Sequence, residues 1–213
     1  MQNYLKVIWS LQEWSDQPVS NSAIAEAAGV RLSTVSDALR KLSEQELIEH
    51  VRYGTVTLTE LGREHAVSMI RRHRLLETFL VNKLEYEWDE VHEEADRLEH
   101  AVSDELMHRI DRSLGYPTRD PHGDPIPSAD GLVHRPDAVI LAEAPAPCRS
   151  RVERISDADN EMLQYFASRG IVVDAELRVL PGEPYSETVT VQIGDTPVSL
   201  GPAAAASVWV AVL

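Results

Sequence analysis

Apolar positions recur with a helical period through the first part of the chain, and the breaks between them are short. In "SNSAIAEAAGVRLSTVSDALRKLSEQ", residues 20–45, Ile24, Ala25 and Ala28 share the inner face of a short helix that Ser20 or Asn21 can cap. Gly29 supplies a turn. A second helix opens at Ser33 or Thr34 and puts Val35, Leu39 and Leu42 at helical spacing. The next stretch, "LIEHVRYGTVTLTELG", holds two β-rich runs around Tyr53-Gly54 and a helix start at Thr59. Helix, glycine turn, helix and hairpin in that order predict a winged helix-turn-helix.

Past residue 62 the pattern lengthens. Residues 63–114 read as long helices, and the apolar stretches 60–83 and 103–114 offer faces for a two-fold interface. Seven of the twelve prolines fall between Tyr116 and Pro147, which predicts an irregular connector. From Arg149 onward, "RVERIS", "AELRVL", "ETVTVQI" and "SVWVAV" alternate as strands around one helical patch, "DNEMLQYFASRG", that Gly170 ends. The expected fold class is mainly α with small β parts. A winged helix-turn-helix covers 1–62, a helical domain with its Pro-rich connector covers 63–136, and a small SH3-like β-barrel covers 148–213.

Charge complicates the first of these domains. The formal net charge is −15, and residues 1–65 hold six Lys/Arg against nine Asp/Glu. Phosphate attraction is the sequence-independent part of DNA affinity, so a DNA reader here rests on local arrangement and on dimerisation. In that reading residues 31–41 enter a major groove. Ser33, Thr34 and Ser36 touch phosphates or base edges, Arg31, Arg40 and Lys41 supply charge, and Arg52 and Tyr53 of the wing reach the backbone. A winged helix used for protein contacts fits the same pattern. The single cysteine, Cys148, excludes an intramolecular disulfide, and the absence of a signal-like or membrane-length apolar run points to a soluble, intracellular chain.

The segment Glu85–Glu105 carries ten carboxylates and one basic residue, Arg97. On a continuous helix Val91, Ala95, Leu98 and Val102 form the core face, and His92, Asp96, Glu99 and His100 fall on an arc of about 100° beside it. Glu93, Glu94 and Arg97 point away. Upstream, His73 and Glu77 in "MIRRHRLLETFL" stand one helical turn apart, with nitrogen and oxygen donors suited to Mn, Fe, Co, Ni or Zn. Either fragment alone reads as a solvated charged face; both after a winged helix point to a metal. A dinuclear metal hydrolase is the competing class, but the chain has no nucleophile motif, phosphate loop or glycine-rich cofactor turn. Acidic helices that only dimerise are a third reading. His108 and His122 read as surface residues.

Taken together, "YLKVIW", "STVSDALRKL", "YGTVTLTELG", "RRHRLLETFLV", "WDEVHEEADRLEHAVSDEL" and "DPHGDPIP" resemble the diphtheria-toxin-repressor (DtxR) family of metal-dependent transcriptional repressors, in particular its manganese-responsive MntR branch. The likeness runs over essentially the whole chain, and the C-terminal zone is similar to the family's SH3-like, FeoA-type domain. It implies a cytoplasmic homodimer on double-stranded operator DNA, with no membrane partner and no enzymatic activity. It also implies two divalent ions per subunit. The ancillary ion would take His73, Glu77 and His92, with Asp159 reaching in from the SH3-like domain. The primary ion would take Asp96, Glu99 and His100, with Asn3 from the first helix. Iron-responsive members carry cysteine where this chain has Asp96 and methionine where it has Asn3. Oxygen donors harden the site, which favours Mn2+, with an Fe2+-dependent repressor as the alternative. Manganese-responsive members tend to carry a carboxylate at the position of Asn3, and a family glutamine near Asp159 is Met162 here.

Overall fold

The computed structural model describes residues 2–15, 17–51, 55–183 and 185–213, the side chains of His50 and Val51 excepted. The proposed wing residues Arg52 and Tyr53 lie outside the described residues. Two compact units divide the chain, Met1–Arg72 with Pro127–Leu132, and His73–Ile126 with Val133–Leu213.

In the first unit, α1 (Gln2–Glu13), α2 (Asn21–Ala27) and α3 (Leu32–Glu44) precede an antiparallel hairpin of β1 (Ile48–Val51) and β2 (Thr55–Leu58). Ser20 caps α2, its hydroxyl accepting from the Ala23 amide at 3.2 Å, and Gly29 takes the left-handed turn at φ 62°. Ile24, Val35, Leu39, Leu42, Ile8 and Val56 are fully buried in one core. The α3 helix opens at Leu32 with Arg31 as its N-cap and no side-chain capping bond. Ser33 and Thr34 therefore sit inside the first turn rather than ahead of it, and their side chains are exposed. The long helix α4 (Glu60–Leu84) starts where the pattern placed it, because the Thr59 hydroxyl accepts from the Gly62 amide and donates to the Glu46 carbonyl. A β-carbon on Gly62 would stand 1.9 Å from the Leu47 carbonyl oxygen, so only glycine fits this approach.

The second unit begins within α4. Its Leu75, Leu76 and Leu80 pack with Val91 and Ala95 of α5 (Val91–Leu98) and Met107 and Ile110 of α6 (Asp104–Ser113). After the proline-rich loop come β3 (Val139–Ile140), β4 (Cys148–Ile155), α7 (Asn160–Ser168), β5 (Glu176–Val179), β6 (Val189–Ile193), β7 (Thr196–Leu200), α8 (Pro202–Ala206) and β8 (Val208–Val212). The strands form one antiparallel sheet in the order β3-β8-β4-β5-β6-β7, curled round a core that includes Val152, Ile155, Phe166, Val191, Val208 and Val210. This is the expected SH3-like domain.

Two local features tie this sheet to the helices of the same unit. Trp88, just ahead of α5, packs against the sheet's core. Gly123, at φ 93°, lets the loop Asp120–Asp124 lie flat on β4, where a β-carbon would stand 2.0 Å from the Glu153 carbonyl oxygen.

Candidate metal centre

Helix α4 presents His73 and Glu77 one turn apart, 5% and 1% exposed respectively. Helix α5 presents His92 and Asp96 with the same spacing, and the two helices face each other across these four side chains. His73 Nε2 lies 2.9 Å from Glu77 Oε1, and His92 Nδ1 lies 3.1 Å from the same oxygen. The two imidazoles stand edge to face with ring centroids 4.7 Å apart. The other nitrogen of His73, Nδ1, lies 2.8 Å from Glu99 Oε2 and 3.3 Å from Asp96 Oδ1. Donor atoms of His73, Glu77 and His92 come within 4.8 Å of one another, and so do those of His73, Asp96 and Glu99.

The α5 helix is shorter than its periodicity suggested. It ends at Leu98, where the amides of Ala101 and Val102 both turn back to the Leu98 carbonyl. Glu99, expected at the edge of the buried seam, keeps a helical backbone with its amide bonded to the Ala95 carbonyl, and its side chain is buried, while the His100 side chain is 38% exposed and its Nε2 lies 3.4 Å from Glu99 Oε1. Asn3 is exposed on α1, in the first unit.

Two residues have surroundings that the sequence did not predict. Asp159 is the N-cap of α7, its carboxylate accepting from the Met162 amide at 3.0 Å. From the same segment Asp157 also reaches the cluster, with Oδ2 3.0 Å from His92 Nδ1. His122, read as a surface residue, is 0% exposed. Its Nε2 donates to the Trp88 carbonyl at 2.7 Å, and its ring stacks on that of Trp88. Nδ1 is buried with no hydrogen-bond partner among the described residues. His122 belongs to a third group with Glu77 and Asp120, whose donor atoms again lie within 4.8 Å of one another. A ring held by a backbone carbonyl on one side and orphaned on the other is oriented as metal-binding histidines are.

The electrostatics show a centre short of positive charge. Burial opposes ionisation of Glu77, but His73 and His92 outweigh it and hold the carboxyl well below the usual carboxylate range. Burial likewise opposes the charged form of His92, yet the hydrogen bonds and charges of Asp157 and Glu77 push its pKa up to about 11. Asp157 is drawn below the usual range in return, against its own burial. For Asp120, burial and the charges of Asp124 and Glu77 act together and push the pKa up to about 8. His122 is raised despite burial, by Asp120, Glu77 and Asp157. His92 therefore stabilises the metal-free fold below its ordinary 6.5, and this contribution fades as pH climbs toward 11. Glu77 contributes above its ordinary 4.5 and loses its effect in acid.

On α3, Arg31, Ser33, Thr34, Ser36, Arg40 and Lys41 are all exposed, opposite the buried Val35, Leu39 and Leu42. Arg40 pairs with Glu44 at 2.8 Å, and the Ser36 hydroxyl donates to the Leu32 carbonyl within its own helix. Tyr4, Ser33, Thr34, Asp37 and Lys41 border a shallow cavity of about 340 Å³ at the start of this helix.

A winged helix and a buried nitrogen- and oxygen-lined centre in one chain define a DNA-binding regulator controlled by a metal ion. Comparison with known proteins agrees along the chain. Residues 1–56 match the N-terminal DNA-binding domain of the iron-dependent repressors, 59–128 match their metal-binding and dimerisation domain, and 139–212 match the FeoA domain. The chain belongs to the DtxR family of iron- and manganese-dependent transcriptional repressors, proteins that are not enzymes. It is 32% identical to the iron-dependent repressor IdeR of Mycobacterium leprae over 83% of this chain and 81% of that protein. It is 31% identical to the diphtheria toxin repressor of Corynebacterium diphtheriae over 83% and 79% of the two chains. A manganese-dependent transcriptional repressor solved in complex with manganese superposes with a TM-score of 0.95 at 55% identity, covering 100% of this chain and 99% of that one. The manganese regulator SloR superposes at 0.86 with 32% identity, covering 100% and 98%.

Proposed function

We propose that this chain is a manganese-dependent repressor, cytoplasmic and homodimeric, that grips operator DNA when divalent ions fill its helical centre. Residues 1–62 read DNA, 63–136 bind metal and dimerise, and 148–213 complete the centre. The observation that carries the choice of ion is the donor set. Every donor in the three groups is an imidazole nitrogen or a carboxylate oxygen, and the chain's one cysteine lies in β4, outside them. Hard oxygen-rich sites suit Mn2+, and the manganese-bound relative shares 55% of the sequence.

His73, Glu77, His92 and Asp157 would hold one ion, with Asp120 and His122 adjoining, and Asp96, Glu99 and His100 would hold another. On α3, Ser33, Thr34 and Ser36 would meet phosphates or base edges, with Arg31, Arg40 and Lys41 countering the backbone charge. Each divalent ion also adds two positive charges, less one for each proton it displaces, to a chain whose formal net charge is −15, easing repulsion from phosphate. An ion that strengthens DNA binding must itself be held more tightly on DNA, since the linkage is reciprocal.

The test is fluorescence anisotropy on duplexes selected from a random pool in the presence of Mn2+. Affinity should fall at least about 10-fold when EDTA replaces Mn2+, within the usual range of allosteric coupling. Equal affinity in both conditions overturns the proposal, and stronger activation by Fe2+ at equal free concentration would move it to iron. A second expectation follows from His92. A metal-bound imidazole is neutral, so Mn2+ uptake at neutral pH releases protons and apparent affinity rises with pH. Calorimetry in two buffers of different ionisation heat should give different apparent enthalpies; identical values would contradict proton release.

A further inference from the structure

Behind the centre lies a second layer of buried charge. Arg74 and Arg154 are 6% and 9% exposed, and between them sit Asp120 and Asp124 at 8% and 4%. Arg74 is fixed to the loop by a hydrogen bond from Nη1 to the Pro125 carbonyl at 2.7 Å. Arg154 arrives from the other side, on β4. Its Nε donates to Asp124 Oδ1 at 2.7 Å, and its guanidinium lies 4.2 Å from the centroid of the Trp209 ring.

The strand is built to deliver it. Pairing of β4 with β8 slips by one residue between Val152 and Arg154, so that Val152 faces Val210 while Arg154 faces Trp209. Regular alternation from Val152 would point Arg154 into the apolar core of the sheet. The bulge instead puts Ile155 there, fully buried with Val152, and turns Arg154 to Asp124. Next to it, the Ile155 amide donates to the His122 carbonyl at 2.9 Å.

The loop that Arg154 grips is a closed turn. Asp120 Oδ1 accepts from the amides of His122 and Asp124, each at 2.9 Å. Moving Asp124 therefore moves Asp120 and His122, the two residues that face Glu77. Two residues beyond Ile155, the same segment carries Asp157 to His92.

We propose that Arg154 is a positioning residue for the metal centre: by clamping Asp124 from the bulge of β4, it holds the Asp120–Asp124 turn and Asp157 in register with Glu77 and His92, so that docking of the SH3-like domain and metal uptake at this end are one linked event. The inference rests on the assignment of this cluster as a metal site. Arginine suits the role because its plane stacks on Trp209 while its edge donates to a carboxylate, which lysine cannot reproduce. Outer residues that orient ligands change metal affinity by about 10–100-fold when removed.

The experiment measures Mn2+ uptake by the full chain through the electron paramagnetic resonance of free Mn2+, for wild type, Arg154→Met, Arg154→Lys, Trp209→Leu and His122→Ala. Wild type should bind two classes of ion. Arg154→Met should weaken by about 10–100-fold the same class that His122→Ala weakens, and leave the other class within about twofold. Arg154→Lys should recover part of that loss. The retained class shows that the helical core is folded. If Arg154→Met does not fold, Trp209→Leu should weaken the same class by a smaller factor, and an unchanged class there overturns the role. Wild-type uptake by Arg154→Met in both classes overturns it directly. A wild-type chain in which His122→Ala alters no class overturns the site assignment itself, and the positioning role with it.

Discussion

Glu77→Ala is expected to damage stability and metal binding together, more than any other single change in the centre. Glu77 is 1% exposed and meets both His73 and His92 within hydrogen-bond distance. It is also the residue common to the His73–His92 group and the Asp120–His122 group. Removing it takes one of the two carboxylates that hold the charge of His92, leaving Asp157, and opens a cavity. The loss should be about 3 kcal/mol, the low end for breaking a buried ion pair, because His92 keeps Asp157 and partial access to water. For a chain of this size that lowers Tm by roughly 6–12 °C. Calorimetric melting in EDTA reads the first effect, and Mn2+ titration reads the second as loss of an entire class of site. A melting temperature within about 2 °C of wild type would show that the pair contributes far less than the range for buried pairs.

His100→Ala should separate the two properties. Its side chain is 38% exposed and its Nε2 lies 3.4 Å from Glu99 Oε1; interactions of so exposed a group are screened by water, and the melting temperature in chelator should change far less than in Glu77→Ala. As a proposed ligand of the second ion, its loss should remove metal-dependent DNA binding and leave the affinity seen with chelator. Ser33→Ala and Thr34→Ala should do the reverse, weakening DNA binding while Mn2+ uptake stays at the wild-type level. Anisotropy with DNA, paired with Mn2+ titration of the same samples, checks both arms. Metal-responsive DNA binding by His100→Ala at wild-type strength would remove it from the site.

These contrasts mark where one-dimensional reasoning works. Helical spacing alone brings His73 to Glu77 and His92 to Asp96, because residues four apart share a helix face. The seam of Val91 and Ala95 then orients α5 toward α4, which is why these four residues are legible from pattern. The fold was legible for the same reason, since its elements follow apolar periodicity and capping residues such as Ser20 and Thr59. What lay outside periodic structure was lost. Glu99 keeps the helical position that periodicity gives it, and what the pattern does not show is that it is buried there against His73 and His100. Asp157 and Asp159 differ by two positions in a segment with no repeat to align them. The signal that separates them is capping: Asp159 stands at the head of α7 and its carboxylate is engaged there. His122 sits among prolines, and composition reads such a stretch as exposed connector. It is buried because Gly123 lets the loop lie on β4. Acids on either side of one histidine in "DPHGDP" were the available clue.

The donor atoms of the centre have one more consequence. Iron- and zinc-sensing sites that use thiolates share their ligand with the chemistry of oxidants, since a metal-free thiolate can be carried to sulfenic, sulfinic and sulfonic acids. Here the ligand groups hold only imidazole and carboxylate, and the single sulfhydryl, Cys148, is half-buried in β4 with its Sγ 3.2 Å from the Ser150 hydroxyl. Among the described residues, peroxide thus meets no thiolate in these ligand groups. Oxidation of a cysteine ligand, the route by which a thiolate-based site loses its metal, is therefore not open to these groups.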